Sequence, residues 1–578
     1  MAIFAFDASH ELGSIRAVDT RRVDVQVDSD EDLRKARVGQ LVAIELPGPI
    51  DEWLIGVIDR VVKTPVLEDL TDSELDEDPE IANLTVQRER VLNSVRITLV
   101  GTVSQSLENE SQFSRSLIQV PEIDGKCLVL RDAPLQAFMA LLSAETKGAH
   151  SLEVGRYTID ENAAAYLDGN RFFQRHASLL GSTGSGKSWS VAAILEQASR
   201  LPSANLIVFD LHGEYGELSY ARHLRVPGPE ELGQSSESLL FLPYWLLNAE
   251  ELQAMFIDRS EFSAHNQVMV FQDAVVAEKK KGLEELNNVE VLSAFTLDSP
   301  IPFAIDDVVQ ELKRLNEERI PGSRGEKNGP FHGQFSRLLL RLNSRLTDKR
   351  YGFLFQAPSA SHEYFAMADI VKQLVDYSAD ESQIKVIDFS EVPAEILPVI
   401  VGLVARVIYQ VQFWTDRKNR KPMALVCDEA HVYLSHKEGA NPVEQRAIEN
   451  FEKIAKEGRK YGVALLVVSQ RPSDVSATIL SQCHNVMSLR LTNSDDQSTV
   501  RRLMPESLEG LMDTLPILDI GEALVVGDSV LLPSRIRIHP PSEKPLSATI
   551  DFWDEWSQER DVPDFNESVE NMRRQNRN

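Results

Sequence analysis

HASLLGSTGSGKSWSVAAILEQASRL, residues 176–201, reads as a buried strand, a glycine-rich turn and an apolar helix in immediate succession. Glycines accept backbone angles that other residues resist, so Gly181, Gly184 and Gly186 let the turn curl until successive N–H groups point inward. The following helix directs the positive end of its dipole at the same spot. Such a cradle takes a phosphate, and the pattern G-x-x-x-x-G-K-S supplies the rest. Lys187 reaches the β- and γ-phosphates, and the Ser188 hydroxyl ligates magnesium. Thr183, Gly184, Ser185, Gly186, Lys187, Ser188 and Trp189 are the expected nucleotide-binding residues.

Hydrolysis needs a carboxylate for the metal and another for the attacking water. ALVCDEAH at 424–431 provides both: four apolar residues bury a strand and deliver Asp428, for magnesium, and Glu429, for water, to its end. VALLVVSQRPSD at 463–474 is another buried strand, ending at Ser469 and Gln470. The Gln470 amide can sense the γ-phosphate, although a turn begun by Arg471-Pro472 accounts for it equally. Charge spreading over the phosphoryl oxygens calls for an arginine, and Arg459 in KEGRKYG and Arg175 in FFQRHASLLG are the candidates. A lone arginine is more often a surface charge. Asp210 and Asp388 also end strands, as magnesium helpers or as turn acids. Arg337, Arg341 and Arg345 recur every four residues, forming a basic stripe that suits a solvated face better than phosphate contact.

At 578 residues the chain exceeds one hydrophobic core. Residues 1–150 read as short strands with Gly, Pro and charged turns, a small β-barrel. From 151 apolar strands alternate with helices, the signature of a parallel sheet. The expected division is a first part of an α/β core at 151–234, a mainly helical insertion at 235–380, the second part at 381–540 with a hairpin at 521–540, and an extension at 541–578. Residues 66–80 hold eight carboxylates and no base, which predicts a solvated loop. The net charge of −29 excludes a surface that binds nucleic acid everywhere, though not a basic channel within an acidic shell. Cys127, Cys427 and Cys483 stand too far apart to suggest a metal site or disulfide framework, which fits a reducing, cytoplasmic setting. No signal peptide is apparent. The apolar stretch 396–414 is interrupted by Arg406, Gln410 and Gln412, and reads as a buried helix, not a membrane span.

In this order, RHASLLGSTGSGKS (175–188), FDLHGEY (209–215), RYGFLF (350–355), VCDEAH (426–431), EGRKYG (457–462), SQRPSD (469–474) and GEALVVG (521–527) resemble the HerA family of FtsK-like DNA-translocating ATPases. The N-terminal strands look like that family's HAS barrel. The resemblance implies a RecA-like P-loop motor core, a homohexamer with ATP and Mg2+ at subunit boundaries, and double-stranded DNA in a central pore. It makes Lys187, Glu429 and Gln470 catalytic, with Arg459 and Arg175 acting from a neighbouring subunit, and Ser188 and Asp428 metal ligands. It further implies a partner effector, a nuclease or a sirtuin-like NAD hydrolase, in DNA end processing or antiphage defence, with no membrane role. The alternatives are an ATP-regulated scaffold for an effector and a conjugation-type pump ATPase.

Overall fold

The computed structural model describes residues 3–48, 51–69, 87–105, 111–117, 119–148, 150–234, 236–323, 325–376, 383–435, 442–505, 508–547, 552–558 and 565–574. The chain forms two compact units. One comprises Met1–Ile194, Arg471–Ser473 and His484–Pro540; the other comprises Leu195–Gln470, Asp474–Cys483 and Pro541–Asn578.

The first unit begins with β1 (Glu11–Asp19), β2 (Arg22–Val27), β3 (Leu41–Glu45), β4 (Glu52–Asp69), β5 (Gln87–Gln105), β6 (Ser111–Ser114) and β7 (Lys126–Val129). They pair in the order β2-β1-β7-β3-β4-β5-β6, and a further β2–β5 pairing closes six of them into an antiparallel barrel with β6 outside the ring. Closure removes the free edges that a small sheet would otherwise expose. Alternation places Val23, Val25, Val27, Val95 and Ile97 inside with Ile15, Leu54 and Cys127. The β4–β5 ladder runs on to Asp69 opposite Gln87, so Val66–Asp69 are strand where the acidic run predicts loop. The rest of that run, 70–80, lies outside the described residues.

Two further strands, β8 (Ser151–Tyr157) and β9 (Asp160–Asp168), form a hairpin that the sequence does not suggest. Ala163, Ala164 and Ala165 have little strand propensity, and the partner that completes β8 lies far along the chain. Next comes β10 (Ala177–Leu180), buried throughout.

The second unit contains β11 (Leu206–Asp210), β12 (Ala221–Arg225), the small hairpin β13 (Arg319–Gly322) and β14 (Gly325–Asn328), then β15 (Ile384–Asp388), β16 (Met423–Cys427) and β17 (Val463–Ser469). Within it β12-β15-β11-β16-β17 form a parallel sheet. Its inner strands are buried at nearly every position, as the unbroken apolar runs predict. The helix Leu397–Trp414 is the one described helix long and apolar enough to cross a membrane, and 78% of it is buried inside the protein. It packs on the helix Pro442–Tyr461 so tightly that a Cβ at Gly402 would stand 3.0 Å from the Ala447 Cα.

The expected insertion is helical apart from β13–β14, with helices at Ala249–Phe256, Ala264–Glu285, Ile305–Glu317, Ser336–Thr347 and Ala366–Val375 among others. Its arginine stripe is only in part a solvated face. Arg341 donates to Glu261 at 2.6 Å and to the Phe256 carbonyl at 2.7 Å. Arg345 binds Glu395 and lies 4.4 Å over the Tyr351 ring. Only Arg337 is exposed. Arg341 is therefore spent on the nearly buried Glu261, while Arg345 pairs with the exposed Glu395.

The first unit is completed by β18 (Asn485–Ser488), β19 (Glu522–Gly527) and β20 (Ser534–Ile538). Here β10 runs parallel to β18, and β18, β19, β20, β8 and β9 follow as an antiparallel series. The β19–β20 pair is the hairpin expected at 521–540.

Candidate functional site

In the first unit β10 runs into the glycine turn and then the helix Lys187–Ser199. Gly184 and Gly186 sit at φ +72° and +104°, where a side chain is strained, and a Cβ at Gly184 would meet no heavy atom within 4 Å. The turn is fixed from beneath. The Ser182 N–H donates to the Arg490 carbonyl at 2.8 Å, and the Gly521 N–H donates to the Ser185 carbonyl at 3.0 Å. The Ser182 carbonyl accepts from Ser185 Oγ at 2.7 Å and from Lys187 Nζ at 3.4 Å. Ser190 caps Gly186 through both its N–H and its hydroxyl. Ser185 and Lys187 are buried, Ser188 is partly so, and Thr183, Gly184 and Trp189 are exposed. A buried lysine at the mouth of an open cradle of N–H groups is a receptor for a polyphosphate. Gly521, which opens GEALVVG, supports this turn; its close approach to Gly186 was not readable from spacing.

In the second unit β16 delivers Asp428, which is 4% exposed, followed by Glu429 in the left-handed region at φ +45°. This is a strained backbone for glutamate, and strain of this kind gathers at functional sites. His431 Nδ1 lies 3.2 Å from Glu429 Oε2. Burial first, and then the charges of Glu429, Glu214 and Asp210, push Asp428 well above its ordinary carboxylate pKa.

Asp210 ends β11 beside β16 and is a turn acid, not a magnesium helper. Its Oδ1 accepts the N–H groups of His212, Gly213 and Glu214 at 3.2, 2.9 and 3.1 Å, and its Oδ2 accepts that of Tyr215 at 2.9 Å. Asp388 likewise accepts the Ser390 N–H at 2.8 Å. Gln470 is half-buried at the end of β17. Arg459 is exposed in the last turn of its helix. Arg175 stands 3.8 Å from Asp528, both half-exposed, a contact that solvent screens.

Among the described residues no group of three or more His, Cys, Asp or Glu side chains forms a metal cage. The residues present fit a cation that arrives with a nucleotide. Asp428 is repelled by three neighbouring acids, and the buried Tyr215 hydroxyl beside it meets no acceptor but Asp428 among the described residues. A divalent ion would relieve the first and order the second. The three cysteines are buried and free, and burial pushes the Cys427 thiol far up; none is poised for chemistry.

A RecA-like parallel sheet, a lysine-bearing glycine turn and a strand-end Asp-Glu pair define a P-loop ATPase. Residues 152–408 match the family model described as the helicase HerA, central domain. It is 26% identical to the DNA double-strand break repair helicase HerA of Pyrococcus furiosus, covering 75% of this chain and 79% of the relative. It is 23% identical to that of Saccharolobus solfataricus over 90% of this chain and 92% of the relative. Among solved structures, VirB4 of Thermoanaerobacter pseudethanolicus superposes with a TM-score of 0.45 at 17% identity, covering 68% of this chain and 97% of that one.

Proposed function

We propose that this protein is a magnesium-dependent ATPase that, as a homohexamer, moves double-stranded DNA through its bore and serves as the motor of a two-protein complex. The buried, charge-repelled Asp428 beside a strained Glu429 carries the reading, because that arrangement is costly in a resting protein and useful only where a cation and a water are to be held. Lys187 and the turn N–H groups bind the phosphates of ATP. Ser188 and Asp428 would hold Mg2+, which would supply charge neutralisation at the transferring phosphoryl group. Glu429 orients and polarises the water, and Gln470 reports the γ-phosphate. The exposed Arg459 and the half-exposed Arg175 would reach a nucleotide bound by a neighbouring subunit.

The relatives' name, DNA double-strand break repair helicase, supports DNA as the track. Contacts to phosphates would make movement independent of sequence. The excess of 89 acids over 60 bases suits a ring whose exterior meets proteins, so a nuclease or sirtuin-like NAD hydrolase is the proposed partner, in DNA end processing or antiphage defence.

The deciding experiment is ATP turnover with and without duplex DNA, with oligomer mass measured by mass photometry. A motor gives a six-subunit particle with DNA-stimulated turnover that Lys187→Ala and Glu429→Ala abolish. Normal turnover in both variants defeats the assignment, and turnover indifferent to DNA favours a scaffold that assembles an effector.

A further inference from the structure

FDLHGEY folds back on itself because Asp210 spends both carboxylate oxygens on four backbone N–H groups, the last of them that of Tyr215. The ring that this turn places is fully buried, and among the described residues its hydroxyl meets no hydrogen-bond acceptor but the Asp428 carboxylate. A buried hydroxyl is costly unless it is partnered. A phenylalanine would fill the same volume without that cost, so packing does not account for the oxygen.

Its surroundings do. β11 and β16 are adjacent and parallel with Phe209 opposite Cys427, so the Asp210 turn and Asp428 emerge side by side at one sheet edge. Among the charges acting on the Tyr215 hydroxyl, that of Asp428 is the largest.

We propose that Tyr215 is a positioning residue for the magnesium site: its O–H donates to the Asp428 carboxylate and fixes which oxygen faces the hydrated ion. Outer partners of this kind orient a ligand that would otherwise swing, and their loss typically weakens metal affinity about 10–100-fold. The inference rests on the ATPase reading above.

The test titrates Mg2+ against binding of a fluorescent ATP analogue to the full-length protein, comparing wild type with Tyr215→Phe. The expected result is an Mg2+ half-saturation raised about 10-fold or more, with metal-free nucleotide binding unchanged and thermal stability equal or higher. In an Asp428→Ala background the same substitution should change nothing, because the acceptor is gone. Superimposable Mg2+ curves for wild type and Tyr215→Phe, in a protein where Lys187→Ala loses nucleotide, overturn this inference alone. If wild type ignores Mg2+ and Lys187→Ala binds nucleotide normally, the ATPase reading falls with it. A Tyr215→Phe chain that loses its fold also counts against the proposal, since a hydroxyl that only orients Asp428 should not be needed for folding.

Discussion

Arg406 and Glu251 form a buried bidentate ion pair, with Nε donating to Oε1 at 3.1 Å and Nη2 to Oε2 at 2.7 Å. Nη2 also donates to the Leu246 carbonyl at 2.8 Å. The pair pins the first helix of the insertion, Ala249–Phe256, to the apolar core helix Leu397–Trp414. It explains why a charge interrupts that helix. Glu251 also closes the capping box with Asn248.

Glu251→Gln should therefore keep the cap and strand the guanidinium. An uncompensated buried charge costs about 3–5 kcal/mol. Urea denaturation followed by circular dichroism should show an earlier midpoint for Glu251→Gln and Arg406→Met singly. The double variant Glu251→Leu/Arg406→Met should recover much of the loss. Equal stability of all four proteins would refute the pairing energetics.

Gly186 at φ +104° lies near Gly521, and a Cβ there would approach the Gly521 nitrogen to 3.4 Å. The left-handed penalty of about 1–2 kcal/mol should reshape the phosphate cradle. Gly186→Ala should weaken nucleotide binding by roughly 5- to 30-fold, the equivalent of that penalty. An unchanged dissociation constant by fluorescence titration would show that the turn tolerates a side chain.

Glu429 separates function from stability. Glu429→Gln keeps shape but loses the base, so turnover should fall about 10²–10⁴-fold while nucleotide still binds. Glu429→Gly should lose turnover equally yet melt no earlier than wild type, because glycine relaxes the backbone at φ +45°. A clear drop in apparent Tm would contradict the strain argument.

Lys279 is 2% exposed and donates to the Leu297 and Ser299 carbonyls, both at 2.7 Å. Burial lowers its pKa from 10.5 to about 8. Between those values the unfolded chain binds more protons than the folded one, so this lysine's contribution to stability rises with pH across that window. It is lost again as pH falls through about 8. Relative to Lys279→Met, the wild type should gain about 3 kcal/mol between pH 7 and 10.5. Parallel stability–pH curves would count against the burial effect.

The sequence by itself determined the glycine turn, the strand that delivers Asp428 and Glu429, and the parallel core. Each is written in a contiguous stretch whose glycine spacing or unbroken apolar run has one physical reading. It also marked 396–414 as buried, because the interrupting Arg406 would be expensive in lipid. Only the tertiary structure decided the fates of single polar groups. Arg341 is spent on Glu261 and Arg345 pairs with Glu395, Asp210 is consumed by its own turn, and Gly521 supports a loop more than 300 residues earlier. It also decided that β8 pairs with β20, nearly 400 residues on. A side chain's role depends on which partner reaches it, and those partners carry no periodicity that spacing along the chain could reveal.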